Sequence, residues 1–120
     1  MARLSGFLQE RGFRVYTVPE MATLLFTNGV AFSDLDKGAL AMQQAVLKGQ
    51  TTLEDGFRKV AAATRAPAVV LCDRGALDGK AYISDDLWRE VAYNTPSHSI
   101  NERLLCERYD AVLHLVTAAA

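Results

Sequence analysis

The sequence predicts an α/β fold: a parallel sheet with helices on both faces. Three observations carry this expectation. The run Ala68-Val69-Val70-Leu71-Cys72 has the length and β-branched content of a strand buried on both faces, and it ends abruptly in Asp73, Arg74 and Gly75. Two further strand patterns, Phe13 to Val18 and Ala111 to Val116, lie towards the two ends of the chain. Helical patterns separate all three, as the right-handed crossovers of a parallel sheet require. Three strands are few for such a sheet, and the sequence opens in a helix and closes just after a strand, so an incomplete sheet is expected.

Met1 to Gln9 reads as the tail of an amphipathic helix with Leu4, Phe7 and Leu8 on one face and Gly12 as its C-cap. The alternating run to Val18 is a strand closed by Pro19, with Glu20 at its carboxyl end. Glu20 to Thr27 suits a short helix stopped by Asn28-Gly29. From Asp34 a longer helical pattern runs to Gly49. Thr51-Thr52-Leu53-Glu54 then fits a capping box that opens a separate helix to about Thr64.

After the Ala68–Cys72 strand, Ser84-Asp85-Asp86 supplies an N-cap and an acidic first turn for a helix bearing Leu87, Trp88 and Val91. Trp88 is expected to anchor the core, and Thr95-Pro96 to end the helix. Ser99-Ile100-Asn101-Glu102 is a second capping box, leading to a short helix with Leu104 and Leu105. Ala111 to Val116 follows as a last buried strand, in which His114 is expected to be a hydrogen-bonded core imidazole.

With 120 residues, half of them apolar, the chain suits one domain over residues 1–120. Its 13 basic and 14 acidic residues are interspersed and leave a net charge of -1, which removes the electrostatic case for nucleic acid. No run approaches the ~18 apolar residues of a membrane span, and no signal-peptide layout opens the sequence. Cys72 and Cys106 have neither the number nor the spacing of a disulfide framework or zinc site. Reduced thiols and a cytoplasmic location are expected.

Ligands of open parallel sheets bind beyond the carboxyl ends of the strands, where Asp73 and Arg74 fall. There Asp73 could hold Mg²⁺ or accept a proton, beside a guanidinium that stabilises a transferring phosphate. The competing reading is a turn-capping Asp73 and an Arg74 paired with it or with Glu20. Glu20, past the neighbouring strand end, would reach the same crevice, although the first turn of its own helix accounts for it equally well. Asp78 and Lys80 on the same loop suit a solvated Asp-Gly turn at least as well as a ligand role. Cys72 should pack against the opposite sheet face, and His98 should sit in a loop.

These residues resemble a known family. The segments CDRGALDGKAY, SDDLWREV and ERYDAVLHLVTAA, with the opening ARLSGFLQERGFRVYTVPEMATLLFTNG, are similar to the P-loop, AAA/kinase-like nucleotide-binding domain of the TRPL translocation defect family. A more distant likeness is to the nicotinamide riboside kinase domain of NadR-type proteins. Essentially all of the chain is covered. The resemblance implies a P-loop-kinase-like sheet of strand order 2-3-1-4 that binds ATP or GTP with Mg²⁺. It matches Asp73 to the Walker-B-like acid of the family's Asp-Arg-Gly motif, Arg74 to that acid's neighbour and Glu20 to the acidic residue after the second strand. Asp73 and Arg74 are the catalytic candidates, Asp73 the metal candidate and Glu20 the substrate-binding candidate.

One departure is large: the family places its first strand and glycine-rich phosphate loop just before the helix that Met1 to Gln9 continues. No G-x-x-x-x-G-K-[ST] motif occurs from Met1 to Ala120. The expectation is a fragment of an ATP- or GTP-binding domain, its first strand and C-terminal part missing and its nucleotide affinity impaired. In the full-length protein it would belong to a kinase-like phosphotransferase. A noncatalytic module that pairs its exposed sheet edge with a protein partner or a second copy is the alternative. A kinase whose phosphate loop comes from another subunit is a third.

Overall fold

Two parallel strands and the ends they share organise the molecule. The computed structural model describes residues 1–93 and 102–116. Helix α1 (Ala2–Glu10) leads into β1 (Arg14–Val18), followed by α2 (Met21–Thr27), a 3₁₀ turn at Phe32–Asp34 and the long helix α3 (Leu35–Ala63). Strand β2 (Ala68–Cys72) is followed by a second 3₁₀ turn at Asp78–Tyr82, α4 (Asp85–Tyr93) and the short α5 (Glu102–Cys106). β1 and β2 pair in parallel from Arg14 opposite Ala68 to Val18 opposite Cys72. This mixed α/β arrangement fits a partial P-loop-kinase-like domain.

Glycine ends the first helix as its sequence position requires. Gly12 takes φ +88°, and Phe13 N–H returns to Leu8 O at 3.2 Å while Gly12 N–H returns to Gln9 O at 3.0 Å. That pair of bonds is a Schellman cap, which satisfies two carbonyls the helix would otherwise leave open. Gly29, at φ +117°, closes α2 in a related way, with Val30 N–H on Leu25 O. Both turns deliver the chain sharply into the next element.

Helix α3 corrects the expected break near Gly49. It runs unbroken for 29 residues, about 43 Å at 1.5 Å per residue. The capping-box residues behave differently from a cap: Thr51 Oγ1 donates back to Leu47 O and Lys48 O, and Glu54 turns into the interior. The local Thr-x-x-Glu signal yields to partners that Glu54 finds far along the chain. Gly49 allows close packing there, since a Cβ would meet Met21 Sδ at 2.5 Å.

The main core joins Leu47 of α3, Ala76 of the loop after β2, Trp88 and Val91 of α4, and Leu105 of α5. Trp88 is the anchor its helix pattern suggests. At the start of α4, Ser84 accepts from Leu87 N–H through its side chain and from Trp88 N–H through its carbonyl.

Two expectations about strands change. β2 is half-buried at all five positions instead of buried on both faces, because only β1 pairs with it among the described residues. Ala111 to Val116 forms no strand: Val112, Leu113, Leu115 and Val116 are 75–90% exposed, and His114 is exposed with them. An extended segment needs a neighbouring strand for its backbone groups, and no described strand lies beside this one. The expected stop at Thr95-Pro96, the loop histidine His98 and the cap beginning at Ser99 lie outside the described residues. No helix among the described residues is long and apolar enough to cross a membrane.

Candidate functional site

The parallel register builds the site. Val18 lies opposite Cys72, so the chain leaves both strands on the same side and presents Glu20 beside Asp73 and Arg74. Arg74 Nε stands 3.6 Å from Glu20 Oε1, and its Nη1 stands 3.6 Å from Asp78 Oδ2. The same Nη1 donates to the Tyr82 hydroxyl at 2.8 Å. Tyr82, and after it the carboxylates of Glu20 and Asp78, hold the Arg74 guanidinium above its ordinary pKa.

Asp73 stands apart from this cluster. Its carboxylate is exposed and has no hydrogen-bond or ion-pair partner among the described residues, so Arg74 pairs with Glu20 and Asp78 and not with its neighbour. Among the described residues Asp73 caps no turn, while the pairing of Arg74 with Glu20 is the one the competing reading expected. A carboxylate left open at a strand end can meet a hydrated cation or accept a proton. Among the described residues no three His, Cys, Asp or Glu side chains converge as a metal cage. Mg²⁺ commonly takes only one or two carboxylates and completes its octahedron with water and phosphate oxygens.

Asp78 joins the Arg74 cluster, whereas Lys80 turns away to pair with Glu102 of α5. Cys72, the last residue of β2, has its thiol pushed up to about 11, chiefly by burial and then by the charge of Glu54. A thiol held protonated in this way is a weak nucleophile at neutral pH. Cys106 is exposed, and both cysteines are free thiols.

Behind the strand ends lies a buried polar network centred on Glu54 and Gln50. Glu54 is 2% exposed and Gln50 is 3% exposed, both on the stripe of α3 that also buries Leu47 and Ala61. Tyr109 Oη lies 2.9 Å from each Glu54 carboxylate oxygen and accepts from Ala76 N–H at 2.7 Å. Arg108 Nε reaches Glu54 Oε1 at 3.3 Å, and its Nη2 reaches Asp55 Oδ1 at 2.7 Å and Thr51 O at 3.2 Å. Burial opposes the charge on Arg108, but Asp55 and then Glu54 outweigh it and hold its proton more tightly. For Tyr109, burial above all raises the phenol pKa, and Glu54 raises it further.

Gln50 completes the network from the opposite direction. Its Oε1 accepts from Met21 N–H at 3.1 Å, and its Nε2 donates to Glu54 Oε2 at 3.2 Å and to Arg74 O at 3.4 Å. Two polar residues within a buried helical stripe were the available signal: positions 47, 50, 54 and 61 share one face at helical spacing. Their partners, more than fifty residues away for Glu54, could not be read from that spacing.

Open parallel α/β sheets bind ligands in the crevice beyond the carboxyl ends of their strands, and Asp73, Arg74 and Glu20 lie at those ends here. A family model described as an AAA domain matches residues 2–120, and the chain belongs to that family of P-loop nucleotide-binding domains. No curated protein and no solved structure matches the chain.

Proposed function

We propose that the strand ends of this chain form the acidic half of a kinase-like nucleotide site of the TRPL-translocation-defect or NadR type. The supporting observation is the register of β1 on β2, which sets Glu20 within 3.6 Å of the arginine that follows Asp73. In this reading Asp73 binds Mg²⁺ through water, Arg74 steadies the transferring phosphate and Glu20 receives the hydroxyl of the phosphate acceptor. Mg²⁺ would come with ATP or GTP and would neutralise the phosphate charge. The residues present fit it, because Asp73 offers hard oxygen donors with no competing partner among the described residues.

Phosphate affinity in P-loop domains comes largely from a nest of backbone N–H groups and the loop lysine. Residues 1–120 contain no such motif, so this chain alone should bind nucleotide weakly. The free thiols fit a reducing compartment such as the cytoplasm. Fluorescent ATP and GTP, titrated with Mg²⁺ into the wild type and D73N, test the reading. Weak, Mg²⁺-dependent binding that D73N abolishes supports it. Equal binding by D73N would overturn it.

A second reading has its own support. β1 and β2 each keep one unpaired edge among the described residues, and the apolar segment from Val112 to Val116 is exposed. Such edges can add a strand from a protein partner or from a second copy. Light scattering over a dilution series tests it: mass that rises with concentration supports the reading, and a monomer at every concentration opposes it.

A further inference from the structure

We infer that Gln50 is a positioning residue: its single amide group sets the spacing of the two loops that carry Glu20 and Arg74. The inference rests on the nucleotide-site reading only for what those loops do, not for how they are held.

The amide bridges the loops directly. Its oxygen takes the N–H of Met21, the residue after Glu20, while its nitrogen gives to the carbonyl of Arg74. The same nitrogen gives to Glu54 Oε2, one helical turn further on, and this fixes the amide's orientation. Reversing the amide would set N–H against Met21 N–H and oxygen against two acceptors. Among side chains of this length only glutamine carries one acceptor and two donors on a single rigid group.

The ion pair between the loops cannot do this work. Arg74 is 45% exposed and lies 3.6 Å from Glu20, a geometry that water screens strongly. Gln50, in contrast, sits buried on a 29-residue helix whose register cannot slip locally. Glu54 extends the same hold to the far side of the Asp73–Gly75 turn, since Tyr109 links its carboxylate to Ala76 N–H. The Glu20–Arg74 contact is thus a consequence of where α3 places the two loops.

NMR of the 120-residue chain tests this through amide hydrogen exchange and the Arg74 Nε–H resonance. The variants are Q50M, which keeps the shape but loses every hydrogen bond of the amide, and Y109F, which loses only the hydroxyl. In Q50M, exchange at Met21 should accelerate at least tenfold more than at control amides in α1, and the Arg74 Nε–H signal should move to the position of a free arginine. In Y109F the acceleration should fall on Ala76 and leave Met21 unchanged. A folded Q50M with native Met21 protection and an unmoved Arg74 signal would overturn the inference, as would a uniform acceleration of all amides in both variants. Failure to bind nucleotide would count against the site reading alone, because neither readout involves a ligand.

Discussion

Tyr109 rests its hydroxyl 2.9 Å from both carboxylate oxygens of Glu54, across 55 positions of sequence. The contact ties the segment after α5 to the middle of α3 and, through Ala76 N–H, to the loop after β2. Tyr109→Phe strands that N–H in a half-buried setting and should lower stability by about 1–3 kcal/mol. Glu54→Ala leaves Arg108 with Asp55 as its remaining carboxylate among the described residues, and it should cost about 3 kcal/mol or more. Urea unfolding of both variants checks the order, with Glu54→Ala the more severe.

The continuity of α3 makes a discriminating prediction at Thr52. Were a second helix to open at Thr51, Thr52 would be its first residue, a position that welcomes proline. In an unbroken helix Thr52→Pro removes a backbone hydrogen bond and drives the ring into the preceding turn, at a cost of ~3 kcal/mol or more. A large drop in the thermal midpoint is expected. An unchanged midpoint would place a break at Thr51.

Alkaline pH should weaken the fold. The folded Cys72 thiol keeps its proton up to about 11 against an ordinary 9.0, and the Tyr109 phenol is raised in the same direction. The unfolded chain therefore binds fewer protons than the folded chain above about pH 9, and stability falls as pH rises from there towards 11. Cys72→Ala should flatten the decline in a series of thermal melts. At pH 8, a thiol reagent should consume the exposed Cys106 well before Cys72.

Much of the sheet was legible in the sequence because local signals sufficed. The β-branched run ending at Asp73, the strand closed by Pro19 and the glycines at 12 and 29 each declare their own geometry, and the structure follows them. That Glu20 and Arg74 share one end of the sheet followed from parallel pairing, whereas the Gln50 bridge between their loops did not. Signals whose meaning depends on distant partners misled. Thr51 to Glu54 resembles a cap until Arg108 and Tyr109 are brought to Glu54. Val112 to Val116 has a strand's composition, but composition does not supply the neighbour a strand must bond.

Asp73 and Arg74 are proposed here as part of a nucleotide site whose phosphate-binding loop motif does not occur in residues 1–120. The most direct measurement is an NMR titration of this chain with Mg-GTP and Mg-ATP, following every backbone amide. Shifts centred on Asp73, Arg74 and Gly75, with a Kd on the order of 1 mM, are the predicted result. Micromolar affinity, or shifts that leave Asp73 to Gly75 untouched, would contradict it.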